Sequence, residues 1–272
     1  MLSEPRIYRY STLRLVLLIL ALLLLGVMPF FLGGINILYG LLSLAFTGLI
    51  ILIAVFSLTR STTISNEGIS ARTLLGERSL NWSEIESVSG SGNKIKLHNR
   101  DGDVTVAPSP QLPGYPEVIE MIGAKRPDLF NPAKYTIMSR NWLNGLLFLV
   151  IGMAIIGVGV FLYFDSSETE TTIPLIFLAA VGLGFIASIF MAVLSLRLDE
   201  SSVTIRYLLS QTVLKPEEVK SVGLNVMQTR NGKSYNVHIF TTRGRTIQFS
   251  GIGPSLPIVY LVLKNWQQGR VR

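Results

Sequence analysis

The sequence predicts an α+β membrane protein, with four transmembrane helices paired as two hairpins and each hairpin followed by a small β-rich unit that one helix closes. Three observations predict it. Apolar residues are gathered into four long runs, leaving only 15% of the 272 residues charged, against about 25% in an ordinary soluble domain. Outside those runs, apolar and polar residues alternate with the period of a half-buried strand. The whole order then occurs twice.

Residues 1–12 are polar and carry Arg6 and Arg9. The first two runs cover 13–32 and 37–58, split only by Gly33-Gly34-Ile35-Asn36. Each has the roughly 20 apolar residues that a hydrocarbon core about 30 Å thick demands, and so short a link makes the two helices antiparallel. A cleavable signal sequence fits 13–32 poorly. Its apolar region is about 7–15 residues, whereas this run is longer, contains Pro29 and leads straight into another.

From Arg60, residues Thr62, Ile64, Ile69, Ala71, Thr73 and Leu75 mark two strands about an Asn66-Glu67-Gly68 turn. A second turn falls at Gly90-Ser91-Gly92-Asn93, and Ile95/Leu97 and Val104/Val106 alternate around Asp101-Gly102, a hairpin signal. Pro113 to Lys125 reads as a helix with Val118, Ile119 and Ile122 on one side. The third and fourth runs cover 142–164 and 173–196 around an acidic loop from Asp165 to Glu170. Strands return with Val203, Ile205, Tyr207 and Leu209, then Val219 to Val226, a turn at Arg230-Asn231-Gly232-Lys233, and Val237/Ile239 and Ile247/Phe249 about Arg243-Gly244-Arg245. Pro254 to Trp266 reads as the closing helix. The divisions are 1–58, 59–140, 141–196 and 197–272.

The repeat is gapless from Ile64 to Val88 when residue n is laid on n+134. Arg72 falls on Arg206, Leu74-Leu75 on Leu208-Leu209, Glu84 on Glu218 and Ser87-Val88 on Ser221-Val222. Spans, strands and helix recurring in one order mark an internal duplication. Basic residues Arg6, Arg9, Arg14, Arg60, Lys134, Arg140 and Arg197 flank the runs on the β-unit side, and the opposite links hold no Lys or Arg. By the positive-inside rule, both termini and both β-units lie on the cytoplasmic side of the inner membrane in a multi-pass chain.

The stretch Leu80-Asn81-Trp82-Ser83-Glu84-Ile85-Glu86-Ser87-Val88, set after an apolar hairpin and before more strands and a closing helix, resembles the bacterial pleckstrin-homology-like (PH-like) membrane proteins. The second copy, Leu214-Lys215-Pro216-Glu217-Glu218-Val219-Lys220-Ser221-Val222, departs from the motif in carrying Pro216 where the first has Trp82. The resemblance implies a PH-like β-sandwich capped by a C-terminal helix, no enzymatic activity and, for most members, no established ligand. Trp82 itself reads as a packing residue.

Catalytic chemistry is not legible. The chain has no cysteine, and its two histidines, His98 and His238, fall on the polar side of predicted strands as solvated surface residues. No Walker-type phosphate loop or Ser/His/Asp arrangement occurs, so no cofactor, metal or catalytic residue is expected. The runs hold no ionisable residue past Arg14, which a conducting path would require, and Asn144 and Ser188 read as interhelical hydrogen bonders.

Small residues line the runs instead: Gly145, Gly152 and Gly159 every seven residues, Ala180, Gly184, Ser188 and Ala192 every four, and Gly40, Ser43, Thr47 and Ala54 on the second. Such stripes let helices approach closely in lipid, within the chain or against another copy or a membrane-protein partner. Charge separates the β-units. Residues 59–140 hold ten basic and nine acidic side chains, and 197–272 hold eleven and four. Arg230, Lys233, Arg243 and Arg245 concentrate that excess in two turns, and Arg270 and Arg272 add to it. A cluster of this kind suits anionic headgroups or an acidic partner, whereas sparse aromatic interleaving argues against nucleic acid. The expected role is a non-catalytic membrane protein that binds protein or lipid and stabilises a membrane complex; the alternative is an accessory subunit of a transport system whose conducting path lies in another chain.

Overall fold

The computed structural model describes residues 4–31, 37–165, 172–229 and 232–269. The expected links at 33–36 and 166–170, Arg230-Asn231 and the arginines at 270 and 272 lie outside those residues. The described residues form an α+β chain of six helices and four antiparallel sheets. It groups into two compact units. The first takes residues up to Ser89, Lys94–Leu129 and the pair Gly232-Lys233; the second takes Gly90–Asn93 and most of the chain from Phe130 onward.

In the first unit β1 (Arg6–Arg9), β2 (Ser61–Ile64), β3 (Gly68–Thr73) and β4 (Gly76–Asn81) form one sheet in that order. Helices α1 (Thr12–Phe31) and α2 (Ile37–Leu58) fill the gap between β1 and β2. A second sheet holds β5 (Ser87–Ser91), β6 (Lys94–His98) and β7 (Thr105–Val106). The alternation does what its period requires: Ile64, Ile69, Leu80, Ile95, Leu97 and Val106 are buried. They share the core with Tyr115, Val118, Ile119 and Ile122 of α3 (Tyr115–Lys125). Strand β1 has no counterpart in the sequence pattern, because Arg6-Ile7-Tyr8-Arg9 lacks apolar alternation. Backbone pairing with β2 makes it, and the Tyr8 hydroxyl ties it to α3 by donating to Glu117 Oε2 at 3.1 Å.

Between the two sheets the chain makes a single 3-10 turn, Trp82–Glu84, in which Glu84 Oε2 accepts the Asn81 N–H at 2.8 Å. The carbonyls at its far side are satisfied by Arg126, whose Nη1 donates to both Trp82 O and Ile85 O. Asp128 holds the guanidinium through two bonds, 2.9 and 2.7 Å, and raises its pKa further. Methionine at 126 keeps the apolar stem and leaves two partly buried carbonyls unpaired. Arg126→Met is expected to destabilise the first unit by about 2–4 kcal/mol, read as lost hydrogen-exchange protection in β4 and β5. Unchanged protection would show that the turn stands without the clamp.

The second unit repeats the order. β8 (Ile137–Ser139), β9 (Ser195–Leu198), β10 (Val203–Arg206) and β11 (Gln211–Leu214) form the four-stranded sheet, and α4 (Trp142–Asp165) and α5 (Thr172–Met191) lie between β8 and β9. The 3-10 turn is Pro216–Glu218, with Glu218 Oε2 on the Lys215 N–H at 3.0 Å. The three-stranded sheet is β12 (Val219–Thr229), β13 (Gly232–Thr241) and β14 (Thr246–Phe249). Helix α6 (Leu256–Gln268) differs from α3. Every residue from Leu256 to Leu263 is buried, so α6 is the unit's apolar centre rather than a one-faced lid.

The expectation of four transmembrane helices is corrected. Among the described residues only α4 is long and apolar enough to cross a membrane, over Gly145–Leu162. The apolar stretches Val16–Met28, Gly40–Phe56 and Ile176–Met191 are 10–17 residues long. At a rise of about 1.5 Å per residue they fall short of a core about 30 Å thick. The fourth helix is also shorter than the apolar run that contains it. α5 ends at Met191, and Ser195–Leu198 is strand β9, its Leu196 and Leu198 buried in the sheet's core. An apolar tail running into an apolar strand has no period change to mark the boundary. All four helices nevertheless carry many exposed large apolar side chains, among them Leu24, Phe46, Phe161 and Phe177.

Candidate functional site

The two basic turns expected from the sequence differ in what the fold does with their charges. Lys233 is the second residue of β13, whereas Arg243 and Arg245 follow that strand's last residue, Thr241. Lys233 is also occupied. Its Nζ donates to Leu112 O at 2.8 Å and its N–H to Gln111 Oε1 at 2.9 Å, and burial lowers its pKa. Its ammonium is a committed charge rather than a presented one. Arg230 lies outside the described residues.

Arg243 and Arg245 do come together, in the tight turn from β13 to β14. The turn follows from local chemistry. Thr241 Oγ1 accepts the Arg245 N–H at 3.0 Å and donates to its carbonyl at 2.9 Å, and Gly244 takes the left-handed conformation at φ +80° that a side chain would resist. Glu218 pins the turn from below: its carbonyl accepts the Thr242 N–H at 2.9 Å and its Oε1 meets Arg243 Nη2 at 3.2 Å. That ion pair leaves the Arg243 side chain 81% exposed, so it positions the charge without consuming it. Arg245 is exposed as well, and its charge is felt at Tyr207, where it partly offsets the upward pull of burial on the phenol's pKa. Glu218 joins the site unexpectedly; its place opposite Glu84 in the repeat is the one signal of it in the sequence.

The small-residue stripes are likewise re-sorted. Helices α4 and α5 meet at Gly152 and Gly182: a Cβ on Gly152 would lie 3.0 Å from Gly182 O, and one on Gly182 would lie 2.9 Å from Gly152 O. Gly159 is buried, but Gly145 has no atom near its missing Cβ. The stripe Ala180, Gly184 and Ser188 is exposed, facing out of the pair, with nothing within 4 Å of a Cβ on Gly184. Ala192 lies past the end of α5. Ser188 does not bond across helices; its hydroxyl donates to Phe185 O one turn back at 2.6 Å. On the first pair, Thr47 of the expected stripe is buried against Gly26. The side chain of Asn144 lies outside the described residues.

Neither histidine is a free surface residue. His98 is half-buried, with Nε2 at 2.7 Å from Ser89 Oγ and Nδ1 at 3.0 Å from Thr105 Oγ1, so it laces β5, β6 and β7 together. His238 is half-buried beside Phe240, its Nε2 without a partner among the described residues. Each unit also has a depression. One in the first unit, about 580 Å³, is bordered by Glu84, Glu86, Arg100 and Asp101. One in the second, about 940 Å³, is bordered by Asp199, Glu200, Asn265 and Trp266. In the second, Asn265 and Trp266 spend their donors on Phe130 O and Asp199 O. Among the described residues no three His, Cys, Asp or Glu side chains converge on a point a metal could occupy.

No protein-family model matches the chain, and no curated protein matches it either.

Proposed function

We propose that this is a non-catalytic, membrane-attached protein that presents two β-rich modules, PH-like in type, at the cytoplasmic face and uses the Arg243–Arg245 turn to hold anionic lipid or an acidic partner while it stabilises a membrane assembly. One observation carries the reading. Each apolar helix pair leaves and returns through adjacent antiparallel strands, β1 and β2 or β8 and β9, and its exposed surface is largely apolar. A surface of that kind is not sustained in water over such an area, and lipid covers it without needing polar partners. Arg140 and Arg197 sit where the second pair meets its sheet, a placement that favours the cytoplasmic side for that sheet.

The test uses the full chain reconstituted in mixed zwitterionic and anionic bilayers, with energy transfer to a labelled anionic lipid as the readout. Two charges near such a surface contribute on the order of 1 kcal/mol each, so Arg243→Gln with Arg245→Gln should lower local enrichment about thirtyfold. Lys233→Gln should leave it unchanged, since that ammonium is committed to Leu112 O. Equal enrichment in all three proteins, or release of the chain from membranes by alkaline carbonate, would defeat the proposal.

A further inference from the structure

Sheet register places two unusual turns at the edges from which the apolar helices emerge. In the first unit Arg9, Ser61, Arg72 and Glu77 lie side by side across β1 to β4. Helix α1 starts three residues after Arg9 and α2 ends three residues before Ser61. The β3–β4 turn, Leu74-Leu75, leaves the sheet at that same edge. In the second unit Ser139, Ser195, Arg206 and Gln211 form the corresponding row, α4 starts three residues after Ser139, and the β10–β11 turn carries Leu208-Leu209 beyond it. With strands about 4.8 Å apart, each leucine turn lies two strands, roughly 10 Å, from the helix attachment.

The residues chosen are wrong for turns in water. Short hairpin turns favour Gly, Asn and Asp, which supply the backbone angles and stay solvated. Here both turns carry a leucine pair, with Leu75 85% and Leu209 81% exposed. The other ends of the same sheets provide the contrast: the β2–β3 turn is Ser65-Asn66-Glu67 and the β9–β10 turn is Asp199-Glu200-Ser201-Ser202. Arginines flank the leucines in both cases. Arg72 and Arg78 are exposed beside Leu74-Leu75, and Arg206 is exposed beside Leu208-Leu209, where Arg245 also acts on Tyr207. An apolar apex flanked by arginines, with Glu77 the one carboxylate in the two rows, on the edge nearest the apolar helices and not on the opposite one, matches the layering of a leaflet, hydrocarbon beneath anionic headgroups.

We infer that Leu74-Leu75 and Leu208-Leu209 enter the lipid interface as paired wedges, so that each β-unit lies with its helix-proximal edge against an anionic leaflet. This rests on the membrane attachment proposed above and adds an orientation to it. The chain has no native cysteine, so single cysteines report without background. Leu75→Cys, Leu209→Cys, Glu67→Cys, Glu200→Cys and Met153→Cys are each labelled with nitrobenzoxadiazole in the full chain. Each is reconstituted in vesicles of phosphatidylcholine and phosphatidylglycerol, with or without phosphatidylcholine brominated near the headgroup or deep in the chain. Probes at 75 and 209 should shift to the blue and lose most of their emission to shallow bromine. Those at 67 and 200 should stay water-like, and the probe at 153, midway along the apolar stretch of α4, should be quenched by deep bromine. Water-like emission at 75 and 209 with quenching at 153 would overturn the wedges while the attachment stands. Water-like emission at 153 as well would bring down both. Leu74→Cys and Leu208→Cys repeat the measurement should either first variant fold poorly.

Discussion

Leucine at Gly182 will drive α4 and α5 apart, while leucine at Gly184 will leave them together. The two glycines are about half a turn apart on the same helix and look alike in sequence, yet only one is in the seam. A Cβ at 182 would stand 2.5 Å from Ile156 Cγ1 and 2.9 Å from Gly152 O, and the second of these is backbone that cannot swing aside. A whole leucine there must separate the helices, at a cost of about 3 kcal/mol or more from overpacking and from weakened dispersion along the whole interface. At 184 nothing lies within 4 Å, so the added side chain projects outward. The stacked rings of Phe148 and Phe185, 5.9 Å between centroids, supply the measurement. With Phe148→Cys and Phe185→Cys, a short bifunctional thiol reagent should join the helices in the parent and in Gly184→Leu, and fail to do so in Gly182→Leu. Efficient joining in Gly182→Leu would show that the seam runs elsewhere.

The sequence locates these helices well and their faces badly, for physical reasons. Long apolar runs announce helices through composition, and α2 occupies the predicted 37–58. Which side of an almost uniformly apolar helix touches its neighbour is not encoded in polarity, so a tidy spacing of small residues, 180, 184 and 188, is as plausible in sequence as the actual contact at 152 and 182. Strands with real alternation, such as Val203-Thr204-Ile205-Arg206, are legible together with the face they bury. β1 and β8, short strands made by pairing rather than by pattern, are not. The basic site shows the same division. Arg243 and Arg245 flank a glycine turn that sequence reveals, whereas Lys233 looks equally available in sequence and is held by Leu112 O in the fold.

Truncating Trp266 will cost the second unit about as much as any single change in the chain, for a reason that the motif's one departure hides. In the first unit Trp82 Nε1 donates to Ser65 O at 3.1 Å, sealing the turn after β2. The repeat places Asp199 on Ser65 and Pro216 on Trp82, so the second turn has the acceptor and lacks the donor. The missing indole arrives from α6 instead: Trp266 Nε1 donates to Asp199 O at the same 3.1 Å, and the ring is 6% exposed. Loss of volume dominates loss of the bond, with Trp266→Ala costing about 3–5 kcal/mol and Trp266→Phe, which keeps most of the ring, about 1–2. Trp82→Phe should match the latter, since the bonds are equivalent. Pro216→Trp then separates a shared role from coincidence. It should recover stability in Trp266→Phe, where the carbonyl waits for a donor, and lose stability in the parent, where two indoles would compete for one acceptor. Hydrogen-exchange protection of β9 and β10 measures each case, and a Trp266→Phe protein as protected as its parent would show that the indole bond contributes nothing.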